Sequence, residues 1–98
     1  MRARAHHADE LRTIPGVGPS LAADLRRLGI DKVADLRGRD PEQLYADLQE
    51  RVGQHVDRCV LYVFRSSVYF AEQEHPELEL TRWWNWKDGG PAEERGLL

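Results

Sequence analysis

LRTIPGVGPSLAADLRRLGI, residues 11–30, sets two short helical stretches on either side of a turn made of glycine and proline. Leu11 and Ile14 share one face of a first helix, expected over about Ala8 to Thr13. Ile14-Pro15 ends it, because a proline ring disfavours helical geometry in the residue before it. Gly16-Val17-Gly18 then turns the chain, and Pro19 suits the first position of the next helix. Leu21, Leu25 and Leu28, spaced by four and three, form its apolar stripe, and Gly29 reads as a left-handed cap.

The same pattern follows once more. Val33 and Leu36 mark a short helix, Gly38-Arg39-Asp40 a turn, and Pro41 a helix with Leu44, Tyr45, Leu48 and Val52 on one face, closed by Gly53. Two such units bury apolar faces that neither covers alone. Between His55 and Gln73, Val56, Cys59, Val60, Val63, Phe64, Ser67, Phe70 and Ala71 keep helical spacing, although CVLYVF and VYF also suit a β-hairpin around Arg65-Ser66-Ser67. Helix is the reading adopted, because the period runs through the supposed turn and no Gly, Pro, Asn or Asp sits there to make one. Trp83, Trp84 and Trp86 then crowd four positions. Residues 1–7 read as a flexible tail, 8–88 as one domain, and 89–98, GGPAEERGLL, as a disordered tail. The expected fold is all-α: a tandem helix-hairpin-helix (SAM-like) bundle of about five helices, with the tryptophan-rich segment packed on it.

The first turn carries the chemistry. A helix start leaves backbone N–H groups unpaired, with partial positive charge from the dipole. Gly16 and Gly18 hold no side chain between those groups and a phosphate oxygen, and Val17 is expected to point into the core and lock the turn. At the second helix start Asp40 supplies its own capping carboxylate, with Gln43 returning the bond as a capping box. Gly18 offers no such cap, so the N–H groups of Ser20 and Leu21 remain for water or phosphate. The expected DNA-binding set is Gly16, Val17, Gly18 and Ser20, with Arg12, Arg26 and Arg27 around them. Contacts of this kind position a protein on the sugar-phosphate backbone without reading sequence. Residues 11–30 resemble the helix-hairpin-helix DNA-binding motif, which often carries Lys or Arg where Ser20 stands, so the resemblance implies weak binding here. A plain interhelical turn is the alternative reading.

With 98 residues, 14 basic and 17 acidic side chains, and a net charge of −3, the chain does not have the profile of a strong free-standing DNA binder. The charge is uneven: residues 1–30 hold five arginines and three acids, whereas residues 61–98 hold seven acids and four bases. A polyanion is expected at the first third, and a basic protein partner at the last. One cysteine, Cys59, excludes an intramolecular disulfide and a thiolate metal cluster. His55 and Cys59 alone do not make a metal site, and the place of Cys59 on the apolar stripe argues against a redox-sensing thiol. The tryptophans, with Arg82 and Lys87 beside them, suit either stacking on unpaired bases or packing on the helices, and packing is the reading adopted. No membrane span or secretory leader is legible, which makes the cytoplasm the expected compartment. No acid pair, activated nucleophile, phosphate loop or cofactor motif points to catalysis, so the chain reads as a binding module without cofactors.

From Leu11 to Asp88 the sequence resembles the pathogenicity-locus family of small bacterial helix-hairpin-helix proteins, some of which are called mitomycin resistance proteins. IPGVGPSLAADLRRLGI, VADLRGRDPEQLYADL, DRCVLYVFRSSVYFA and WWNWKD carry the resemblance together. It implies paired helix-hairpin-helix units and a role near DNA repair or damage tolerance. Many members have a second cysteine near the position of Arg65-Ser66-Ser67; this chain has serines there, so a two-cysteine redox role does not carry over.

Overall fold

Prolines set three helix starts in the computed structural model, which describes residues 10–98. Pro19 opens α1 (Pro19–Arg27), Pro41 opens α2 (Pro41–Val52) and Pro91 opens α4 (Pro91–Glu94); between the last two lies α3 (Arg58–Glu72). Four 3-10 turns, Glu10–Thr13, Val33–Leu36, Leu78–Thr81 and Trp83–Trp86, complete an all-helical chain with no strand among the described residues. Of the helix expected over Ala8 to Thr13, the described part, Glu10–Thr13, is a 3-10 turn, Ala8 and Asp9 lying outside the described residues; the one marked by Val33 and Leu36 is likewise a single 3-10 turn, since a breaker follows within a few residues. The tail expected over residues 1–7 lies outside the described residues.

Helix ends follow the local chemistry. At the end of α1, Gly29 takes a φ of +88°, and the Ile30 N–H donates back to the Leu25 carbonyl at 3.0 Å, a Schellman closure that seats fully buried Ile30. Asp40 caps α2 by accepting from the Glu42 N–H at 2.9 Å. The expected capping box is absent: Gln43 donates one turn onward, to Asp47 at 2.9 Å. Leu44, Tyr45 and Leu48 are buried as expected, but Val52 is exposed where the last turn of α2 runs past the core. Gln49 and Tyr45 then fix the α2–α3 loop, for Gln49 accepts from the Val56 N–H at 2.9 Å and the Tyr45 hydroxyl donates to the Val56 carbonyl.

Helix α3 is continuous through Arg65-Ser66-Ser67, which excludes the hairpin alternative. Its middle is buried on nearly every side: Leu61, Phe64, Val68 and Ala71 share one buried cluster with Leu25 of α1, Leu44 and Leu48 of α2, and Leu11 and Leu36 of the first 3-10 turns, and Val63, Ser66 and Ser67 are also covered. A helix apolar around most of its circumference is the central element of its domain. Cys59 departs from the expected stripe. It lies in the first turn of α3, exposed.

The segment after α3 folds back over it. Trp83 joins the main core, while Leu80, Trp86 and Ala92 form a smaller cluster against Tyr62 and Tyr69. The Trp86 ring N–H donates to the Leu80 carbonyl at 2.8 Å. Arg65, 7% exposed, ties the layers: it donates to the Trp86 carbonyl at 2.9 Å, to Asp88 at 3.0 Å and to Glu42 of α2 at 2.5 Å. Asp88 also accepts from Arg58 at 2.6 Å.

These arginines, Arg58 first, hold the Asp88 carboxyl down at about 2, below its ordinary 3.8. A depressed carboxyl stabilises the fold above its unfolded pKa, and that contribution is lost as pH falls from about 4 through 2. Asp88→Asn is therefore expected to be less stable than the parent at pH 6, with the gap closing between pH 4 and 2. Urea unfolding at stepped pH measures it; a gap independent of pH contradicts the assignment.

The disordered tail expected over 89–98 is corrected. Gly90-Pro91 starts α4, Ala92 is fully buried, the Leu97 N–H donates to the Ala92 carbonyl at 3.0 Å, and Arg95 pairs with Glu77 at 3.0 Å. The anchor is one small apolar residue, too short a pattern to register as periodicity.

Candidate nucleic-acid interface

Three apolar residues hold the first turn in place. Leu11, Ile14 and Val17 are buried, with the Ile14 N–H donating to the Leu11 carbonyl at 3.2 Å and the Val17 N–H to the Ile14 carbonyl at 3.0 Å. Val17 points inward as the sequence predicts. Ala22 is fully buried on α1, and its N–H donates to the Gly18 carbonyl at 2.9 Å, the first bond of the helix.

The two glycines divide the work differently from expectation. Gly16 has a φ of +90°, and a Cβ there would lie 3.2 Å from Cδ1 of Trp83. Its bareness serves the turn and its fit against the tryptophan. Gly18 is extended (φ −95°, ψ −170°), and a Cβ there would meet nothing within 4 Å. The open approach is thus at Gly18. Gly18 has no side chain to cap α1, and among the described residues no side chain accepts from its first-turn N–H groups, those of Ser20 and Leu21 among them.

The three proline-led starts make the contrast internal to the chain. Asp40 fills the α2 start with its own carboxylate. Gly90, with almost the same backbone as Gly18 (φ −90°, ψ −173°), is buried, and a Cβ there would meet Lys87 Cγ at 2.9 Å. Of these three described starts, Gly18 alone combines an open approach with the lack of a side-chain cap.

The arginines do not converge on one point. Arg12, on the Glu10–Thr13 turn, is exposed, as are Arg26 and Arg27. Arg26 and Arg27 occupy the last turn of α1, about 9 and 10.5 Å along the axis from Ser20 at 1.5 Å per residue. Arg27 pairs with Asp24 at 2.9 Å in an exposed i,i+3 contact, which stabilises little and leaves the guanidinium available to another anion. Sequence reading missed Trp83 as the support of the turn; nothing local in either segment signals that contact.

The remaining candidates fall away from the site. Among the described residues no group of three or more His, Cys, Asp or Glu is placed to hold a metal. The hydrogen bond with Asp57, aided by burial, pushes the Cys59 thiol up, so the thiolate needed for redox sensing is disfavoured despite its exposure. Ser66 and Ser67 are core residues, the first donating to the Val63 carbonyl at 3.0 Å.

A family model described as pathogenicity locus matches residues 4–90, which takes in the glycine turn, α1–α3 and the tryptophan segment. The chain belongs to the pathogenicity-locus family. A relative, the mitomycin resistance protein McrB of Streptomyces lavendulae, is 38% identical over 77 residues, which span 79% of this chain and 70% of that protein. Neither the family description nor the relative's name states a reaction. No solved structure matches this pathogenicity-locus chain. No helix among its described residues is long and apolar enough to cross a membrane.

Proposed function

We propose that this pathogenicity-locus protein is a non-catalytic binder of the DNA sugar-phosphate backbone, acting through a helix-hairpin-helix unit formed by the Glu10–Thr13 turn, Gly16-Val17-Gly18 and α1. The carrying observation is the start of α1 at Gly18: open, uncapped, and held by buried Val17. Such a start offers N–H donors and the positive end of the helix dipole to a phosphate oxygen. Arg12, Arg26 and Arg27 lie to either side of it in the chain and engage neighbouring phosphates, so the contacts spread along the backbone and carry no base readout. The Val33–Leu36 turn with α2 is the second, structural unit of the tandem, SAM-like arrangement. The resistance named in the Streptomyces lavendulae relative is the context in which we place this binding, as part of cytoplasmic DNA repair or damage tolerance.

About 2–4 neutralised phosphates give a log–log salt slope of roughly −2 to −4 on duplex DNA, equal for unrelated sequences. Fluorescence anisotropy across a salt series measures it. No binding at low salt, or a marked sequence preference, contradicts the proposal.

A second reading has its own observation. Leu97 and Leu98 are exposed, 42% and 50%, and with Val68 and Tyr69 line a cleft of about 430 Å³ rimmed by Glu42 and Glu72. That surface suits an adaptor role toward a protein of repair or recombination. Retention of such a partner after nuclease treatment, without any DNA shift, favours this reading over the first.

A further inference from the structure

The geometry points to Trp84 as a stacking platform for an unpaired nucleotide base beside the phosphate site, which makes single-stranded or frayed DNA the preferred ligand. The inference rests on the backbone-binding reading above and names its substrate class. Of the three tryptophans, Trp86 is buried and hydrogen-bonded, and Trp83 packs into the core. Trp84 is 51% exposed, the most exposed aromatic side chain among the described residues. Packing therefore accounts for two of the rings and leaves about half of the third, which meets Trp83 edge-on, open to solvent.

Its position joins it to the turn. The Trp83 and Trp84 rings meet edge to face with centroids 5.7 Å apart, and Trp83 Cδ1 lies 3.2 Å from where a Gly16 Cβ would be. Trp84 is thus two contacts from the glycine turn, through a partly buried ring packed against the core. A base needs only a flat apolar face, and stacking on tryptophan tolerates any base, in keeping with backbone contacts that read no sequence. In an intact duplex the bases are already stacked on one another, so the platform adds affinity only where a base is free. Exposed Lys87, together with Arg82, which pairs with Glu79 at 2.9 Å, flanks the segment with positive charge for the continuing strand.

The test compares wild type, Trp84→Ala, Trp84→Phe and Gly18→Asp by anisotropy at low salt on a labelled oligothymidine and on a duplex of equal length, with circular dichroism confirming the fold. Wild type is expected to prefer the oligothymidine. Trp84→Ala should lose about tenfold or more on it, keep its duplex affinity, and be largely rescued by phenylalanine. Equal binding of both DNAs by wild type and Trp84→Ala overturns the platform. If Gly18→Asp alone loses binding, the turn stands and the platform falls; if wild type binds neither DNA, the backbone reading fails and the platform with it.

Discussion

Phe64→Ala should lower unfolding stability by about 3–5 kcal/mol, the largest effect expected of any single substitution in this chain. Phe64 is fully buried in the middle of α3, within the cluster that includes Leu11, Ile14, Leu25, Leu44 and Leu48. Removing its ring loses the transfer free energy of the ring carbons and opens a cavity that rigid helices on several sides close only partly. A loss of this size is a large share of the 5–15 kcal/mol typical of a small domain, so the variant should unfold at markedly lower urea with an unchanged m-value. A cost below about 1 kcal/mol would mean that α3 is not the central element.

Arg65→Ala ranks second, at about 2–3 kcal/mol. Breaking a buried ion pair ordinarily costs about 3–5 kcal/mol because the remaining charge is left buried and unpaired. Here the partners keep access to water: side-chain exposure is 8% for Arg65, 55% for Glu42 and 45% for Asp88. Asp88 keeps its pair with Arg58, and both carboxylates rehydrate, which reduces the penalty. What remains is lost packing of the buried guanidinium stem and an unsatisfied Trp86 carbonyl. The loss should appear locally as well, as a red shift of tryptophan emission when the C-terminal segment loosens. Stability within 0.5 kcal/mol of wild type contradicts the view that Arg65 ties α2, α3 and that segment together.

Much of the fold was legible because its punctuation is local. Pro15, Pro19, Gly29, Pro41 and Gly53 act on their own neighbours through ring sterics or positive φ, and each falls at the boundary the sequence reading assigns. The period through Arg65-Ser66-Ser67 likewise settled α3, since a 15-residue helix gives several turns over which a stripe repeats. Choices between near-equal partners were not legible. Gln43 can return a capping bond or reach Asp47, and either choice makes one side-chain hydrogen bond at the surface. Cys59 lies in phase with the stripe but at the first turn of α3, where the core has not yet begun, so period alone misplaced it.

The candidate site divides along the same line. The uncapped start at Gly18 follows from residues 16 to 20 taken alone, as does the contrast with Asp40. Trp83 beneath Gly16, and Arg65 beneath Asp88, join segments distant in sequence, and no spacing rule relates them. Gly90-Pro91 repeats the backbone of Gly18-Pro19, yet its four-residue helix was hidden among charged neighbours. Only its burial against Lys87 shows that it is not a second open start.

Gly18→Asp tests the central claim most directly. The backbone at Gly18 is extended and open, so aspartate fits without strain and supplies α1 with the cap that Asp40 gives α2; thermal stability should be unchanged or slightly raised. The measurement is fluorescence anisotropy of labelled DNA at low salt for wild type and this variant, both shown to be folded. The account predicts that wild type binds and that the variant, its donors occupied and a negative charge set at the approach, loses at least tenfold in affinity. Equal binding by the two proteins would contradict it, because the α1 start would then not be where phosphate is held.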